Sequence, residues 1–125
     1  DVFLGVGGPI GFGSGIVCKE TGKCLILGVD ADWYDTAPEY RSVLLTSVLK
    51  KIDVAVFNAA KSVVEGNFAG GTAVFALKDG GVDIAPYHDL DAQVPAELKA
   101  QVEKAKADLI SGAITVDGVL ACPAP

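Results

Sequence analysis

An unbroken apolar run, Leu25 to Val29, ends abruptly on Asp30 and, two residues further on, Asp32. Such a run bounded by turn residues reads as a strand buried on both faces, the kind found in parallel sheets covered by helices. Val2–Val6 is a second short apolar strand, and Val43–Val48 a third that runs directly into Lys50 and Lys51. Thr72–Leu77 and Val82–Ala85 read as two short strands around Asp79-Gly80-Gly81, a hairpin-type turn. Ile114–Val116 reads as a last strand. Between these runs the period changes from two to 3.6. Ile16–Lys19 begins a helix that Gly22 ends. Ile52, Val56, Ala59 and Val63 share one helical face up to Glu65, with Gly66 closing the helix. Pro95 opens a final helix with the stripe Leu98, Val102, Ala105 and Leu109, ended by Gly112. The resulting order, β-α-β-loop-β-α-β-β-α-β, predicts an α/β fold with a largely parallel sheet flanked by helices.

The chain has 125 residues, half of them hydrophobic and 21% charged. That suits one domain with a real core and argues against disorder. The formal net charge is -6. An acidic chain without basic clusters is not built for nucleic acid or an anionic membrane surface. The chain opens on Asp1 with no basic segment ahead of an apolar one, so no signal peptide is expected within it. Val2 to Cys18 carries no charge, yet glycines and Pro9 interrupt it and it falls short of the ~20 residues of a membrane helix. Cys18, Cys24 and Cys122 form no CxxC pair and one histidine accompanies them, so a zinc site is not expected. Cys18 and Cys24 either pair in an oxidising compartment or stay as buried thiols. The tail Ala121–Pro125 reads as frayed.

In open α/β sheets, ligands bind just beyond the carboxyl ends of the strands. Asp30 and Asp32 sit at that end of the second strand, and a spacing of two points both side chains to one side in extended chain. They suit ligand hydroxyls or a cation; in the plainer reading one caps the next turn and the other is solvated. Lys50 lies on the same edge, where it can donate to a ligand oxygen, pair with one of the acids, or simply be solvated at a helix start. Lys51 reads as solvated. The segment Gly7-Gly8-Pro9-Ile10-Gly11-Phe12-Gly13-Ser14-Gly15 follows a strand and precedes a helix, but fits neither G-x-G-x-x-G nor the P-loop. It marks a place where backbone approaches a ligand or another segment closely. Trp33 and Tyr34 either line a pocket mouth or cover a core edge. His88 has no Ser or Cys motif beside it and reads as a loop residue, not a base. Two function classes follow. One is a binding protein for a small polyol-bearing molecule. The alternative is a metal-dependent α/β hydrolase using Asp30 and Asp32. No third acid and no nucleophile motif accompany that pair, so no catalytic residue, metal site or cofactor is assigned and no enzyme is expected.

Several runs, taken in order, resemble one family. They are Asp1-Val2-Phe3, Gly7-Gly8, Gly28-Val29-Asp30-Ala31-Asp32, Leu45-Thr46-Ser47-Val48-Leu49-Lys50, Asp53-Val54-Ala55-Val56 and Gly80-Gly81-Val82-Asp83-Ile84-Ala85-Pro86-Tyr87. The closing Val94-Pro95-Ala96-Glu97-Leu98 and Ile110-Ser111-Gly112 fit as well. The set is similar to the basic membrane protein family, substrate-binding lipoproteins of ABC transporters, many of which bind nucleosides. The resemblance implies a Rossmann-like lobe of a two-lobed, type I periplasmic-binding-protein-like fold. Residues 1–125 would form a single unit matching the C-terminal lobe, with about 90–125 packing on an N-terminal lobe that these residues do not include. It implies an extracytoplasmic, lipid-anchored parent that delivers a nucleoside to a membrane permease. By position it points to Asp30 as acceptor for ribose hydroxyls with Asp32 beside it, Lys50 as a polar contact, Gly7 and Gly8 as pocket-lining backbone, and Phe3 as a base-stacking ring. The Gly-rich turn departs from the family's Gly-Gly-Thr-Gly, and the departure makes Phe12 a second candidate ring.

Overall fold

The computed structural model describes residues 1–116. The frayed tail expected at 121–125 lies outside them. Four strands, β1 (Val2–Leu4), β2 (Leu25–Asp30), β3 (Leu44–Lys50) and β4 (Val82–Ile84), form one sheet in the order β1-β2-β3-β4. β1, β2 and β3 run parallel, with Phe3 opposite Ile26 and Gly28 opposite Ser47. β4 pairs antiparallel with β3, Val48 opposite Ile84. The sheet is thus largely parallel and flanked by helices, as the apolar runs predict.

Helix α1 (Ile10–Thr21) joins β1 to β2. It begins six residues earlier than the pattern suggests, at Ile10 just after Pro9, and takes three glycines into its body. Helical glycine costs roughly 1 kcal/mol relative to alanine, and packing reverses that penalty here. A β-carbon on Gly11 would stand 2.6 Å from the Trp33 ring, and one on Gly28 of β2 would meet the same ring at 2.6 Å. Trp33 therefore fits only between two residues without side chains. The core around it comprises Cys18, Ile26, Trp33, Ala37, Tyr40, Val43 and Leu44. Phe12 packs against it, its ring 4.8 Å from Trp33 and 5.4 Å from Tyr40. A disulfide joins Cys18 to Cys24, tying the end of α1 to the chain entering β2; the pairing alternative holds. Short helix α2 (Trp33–Thr36) and a 3₁₀ turn at Pro38–Val43 complete this side.

Helix α3 (Ile52–Val64) follows β3 and buries no residue. Its stripe faces outward, with Ile52 57% and Val56 62% exposed.

Two expected strands do not form. Thr72–Leu77 pairs with no strand. The Gly81 amide bonds the Ala76 carbonyl and Asp79 accepts from the Ala76 amide, so the chain curls into a local 3₁₀ turn at Leu77–Asp79, and β4 pairs with β3 instead. Ile114–Val116 forms no ladder either; the Ile114 amide is held by the Asp108 carbonyl in the C-terminal cap of α4 (Ala96–Ser111). The chain groups into two compact units, Asp1–Val94 and Pro95–Pro125. The first holds the sheet. The described part of the second is α4 and its cap, where Gly112 takes the left-handed conformation.

Candidate functional site

Parallel pairing of β1, β2 and β3 puts Gly7-Gly8, Asp30 and Lys50 just beyond carboxyl ends on one edge of the sheet. Gly7 and Gly8 have φ of 138° and 64°, a turn that side-chain-bearing residues rarely enter. Asp30 stands opposite Leu49 in the register, and its Oδ1 lies 3.0 Å from Lys50 Nζ. Both side chains are more than half exposed. Asp30 also holds a left-handed backbone, φ 68°, uncommon for any residue but glycine. Asp30, Asp32, Leu49, Lys50 and Asp53 line an open hollow at this edge.

Asp32 behaves differently. Its Oδ1 accepts from the Tyr34 amide at 3.0 Å, capping α2, and from the Ser47 hydroxyl at 3.2 Å. Its Oδ2 lies 2.7 Å from His88 Nε2. Ser47 Oγ in turn accepts from the Trp33 amide. The two acids thus part company: Asp32 is spent on the fold and Asp30 faces out. Neither Asp32's partners nor Lys50 beside Asp30 suit a shared cation, and among the described residues no three metal-ligating side chains converge.

Trp33 is buried and donates its indole N–H to the Val29 carbonyl, so it covers the core rather than a pocket mouth. Tyr34 donates its hydroxyl to Asp89, and this bond, foremost, raises its phenol above the ordinary value. The Arg41 guanidinium lies over the Tyr34 ring, 4.1 Å from its centre. Phe3 lines a separate hollow with Gly13, Val17 and the disulfide, sharing no residue with the one at Asp30. Phe12 belongs to the core. Of the expected site residues, the structure joins Asp30 and Lys50 directly, places Gly7 and Gly8 on the same edge, turns Asp32 inward and sets Phe3 apart. His88 and Ser47 went unread in this role, because nothing near them in sequence marks an Asp32 partner.

An α/β unit with an exposed acid and lysine at adjacent parallel strand ends has the layout of a binding fold rather than of a catalytic one. The comparisons agree. The chain belongs to the Bmp family, ABC transporter substrate-binding protein PnrA-like, whose profile matches residues 1–118. It is 37% identical over 106 residues to the ABC transporter nucleoside-binding protein BmpA of Lactococcus lactis, covering 78% of this chain and 28% of that protein. It is 44% identical over 72 residues to an uncharacterized lipoprotein of Pyrococcus abyssi, covering 56% of this chain and 16% of that one. Among solved structures, an ABC transporter solute-binding protein from Aeropyrum pernix superposes with a TM-score of 0.69 at 28% identity, over 91% of this chain and 39% of its own. A transcriptional activator of the comK gene from Bacillus halodurans shares the fold, with a TM-score of 0.76 at 24% identity over 91% of this chain and 38% of its own. The chain therefore spans well under half the length of each of these proteins.

Proposed function

We propose that this chain forms the C-terminal lobe of a two-lobed ABC-transporter substrate-binding lipoprotein and captures a nucleoside between the lobes, without chemistry, for delivery to a membrane permease. The observation that carries the reading is the Asp30–Lys50 pair, exposed at adjacent strand ends. One carboxylate oxygen holds the lysine and the other is left to accept a hydroxyl, while the ammonium keeps protons for a neighbouring oxygen. That couple suits the vicinal hydroxyls of a ribose. The acidic edge disfavours a phosphorylated ligand. Gly7 and Gly8 would line the pocket as backbone, Asp32 would border it from the hollow it shares with Asp30, and Phe3, by its place in the family's motif, would bring its ring to the base from the separate hollow it lines. Residues 90–125 would pack on the N-terminal lobe. The Lactococcus relative's nucleoside-binding name supports the ligand class. The Cys18–Cys24 disulfide supports an extracytoplasmic location, since such bonds persist in oxidising compartments.

The test is an NMR titration of the chain with adenosine, 2′,3′-dideoxyadenosine, ribose and Mg²⁺, a method that reads millimolar affinities. Adenosine is expected to shift the amides of Asp30, Lys50, Gly7 and Gly8. Asp30→Asn, which keeps the left-handed backbone, is expected to weaken binding by about 1 kcal/mol, roughly five-fold, as a charge-assisted bond becomes a neutral one. Equal affinity for the dideoxynucleoside would remove the ribose assignment. A response to Mg²⁺ alone, lost in Asp30→Asn, would favour the hydrolase.

A further inference from the structure

His88 has no part in that reading, yet its geometry is specific. Its backbone is left-handed, φ 44°, one of two such non-glycine residues among those described; the other is Asp30. That turn aims the ring at Asp32, Nε2 to Oδ2 2.7 Å, with both side chains about four-fifths buried. The ring also stacks on Tyr34, centres 4.0 Å apart and planes 14° from parallel. Arg41 lies as close to the same Tyr34 ring. The Tyr34 ring thus carries both His88 and Arg41. Arg41 is further fixed by its Nε donating to the Tyr34 carbonyl at 2.6 Å. The Asp32 carboxylate thereby gathers three segments: α2 through the Tyr34 amide, β3 through Ser47, and the 3₁₀ turn His88–Gln93 through His88.

We propose that His88 is a positioning residue for the binding edge. By holding Asp32 from the side opposite Ser47's bond, it fixes the turn Asp30-Ala31-Asp32 and so sets where the Asp30 carboxylate stands against Lys50. Asp30 needs such a restraint, because a left-handed aspartate persists only where its surroundings impose it. The functional consequence rests on the binding reading above; the positioning itself is measurable without any ligand. The turn at His88–Gln93 becomes a remote support of the site, reaching Asp32 through His88 across 56 residues of sequence.

The experiment compares His88→Ala, His88→Asn and His88→Gln in the 125-residue chain by amide shifts, amide hydrogen exchange and adenosine titration. Glutamine places its amide nitrogen near where Nε2 stands; asparagine falls short. His88→Ala is expected to speed exchange at the Tyr34 amide by about ten-fold and to move the signals of Asp30, Ala31 and Lys50, with α1 unchanged. His88→Gln is expected to restore them, and His88→Asn not. Adenosine affinity should follow the same order. Unmoved signals at residues 30–34 in His88→Ala, or a glutamine variant as disturbed as alanine, would overturn the proposal. If His88→Ala does not fold, a folded His88→Gln decides: wild-type signals at 30–32 support the proposal and displaced ones overturn it. Wild-type adenosine affinity in His88→Ala with displaced signals would also overturn it. Silence to adenosine from the complete two-lobed protein would defeat the binding reading instead, and the exchange data then decide the positioning alone.

Discussion

Helices α1 and α3 each lead from one strand of the sheet to the next, yet they have opposite fates. α1 is rich in glycine, a poor helix former, and it buries Gly11 and Gly15 against aromatic rings and Cys18 in the core. α3 has the cleaner apolar stripe and buries nothing. Propensity and periodicity therefore rank these helices in the wrong order. What decides is the fit of a neighbour: rings from α2 and the following 3₁₀ turn close on α1, and a disulfide seals its end. Helices owe most of their stability in proteins to such packing rather than to intrinsic preference.

The contrast can be broken at four places, in falling order of effect. Trp33→Ala empties the space between Gly11 and Gly28 and is expected to cost about 3–5 kcal/mol, enough to unfold a marginal domain; chemical denaturation followed by circular dichroism would measure it. Replacing Cys18 and Cys24 together by serine frees the short loop between α1 and β2. The expected loss is about 2 kcal/mol by loop entropy, visible equally as a lowered melting midpoint of the wild type under reductant. On the same sealed side, the bond from Tyr34 to Asp89 favours the neutral phenol. Because the folded value is raised, its contribution is complete below the ordinary tyrosine range and is lost as pH climbs through the raised value. Asp89→Asn should bring the Tyr34 titration down toward the ordinary range in an ultraviolet pH titration. The smallest effect belongs to the bare side: Val56→Lys on α3 should change stability by no more than about 0.5 kcal/mol. A loss of several kcal/mol there would mean that something covers α3 in solution and would erase the contrast.

The parts of this architecture that could be read in advance share a cause. A strand buried on both faces must be apolar throughout, so β2 announces itself, and the first polar residue after it marks the edge where Asp30 stands. β3 and Lys50 follow the same rule. The rest depends on partners distant in sequence. The early start of α1 is set by the Trp33 ring, which a reading of its glycines as loop does not see. Residues 72–77 have strand-like composition, but a few local bonds curl them away from any ladder. Asp30 and Asp32 look equivalent along the chain. Only the arrival of His88 and Ser47 separates them, and no local spacing encodes that.

The left-handed backbone at Asp30 subjects one codon to two independent selections. Folding alone admits glycine, asparagine and aspartate, the residues that visit this conformation readily. Pairing with Lys50 admits only a carboxylate. Glutamate passes the second filter and fails the first; asparagine does the reverse. In a saturation library at position 30, survivors sorted for folding should therefore include Asp, Asn and Gly, and survivors sorted for ligand capture should be led by Asp, with Asn about five-fold weaker. On the proposed reading, position 30 has few equivalent neighbours, so a change of ligand would enter more readily elsewhere on the edge.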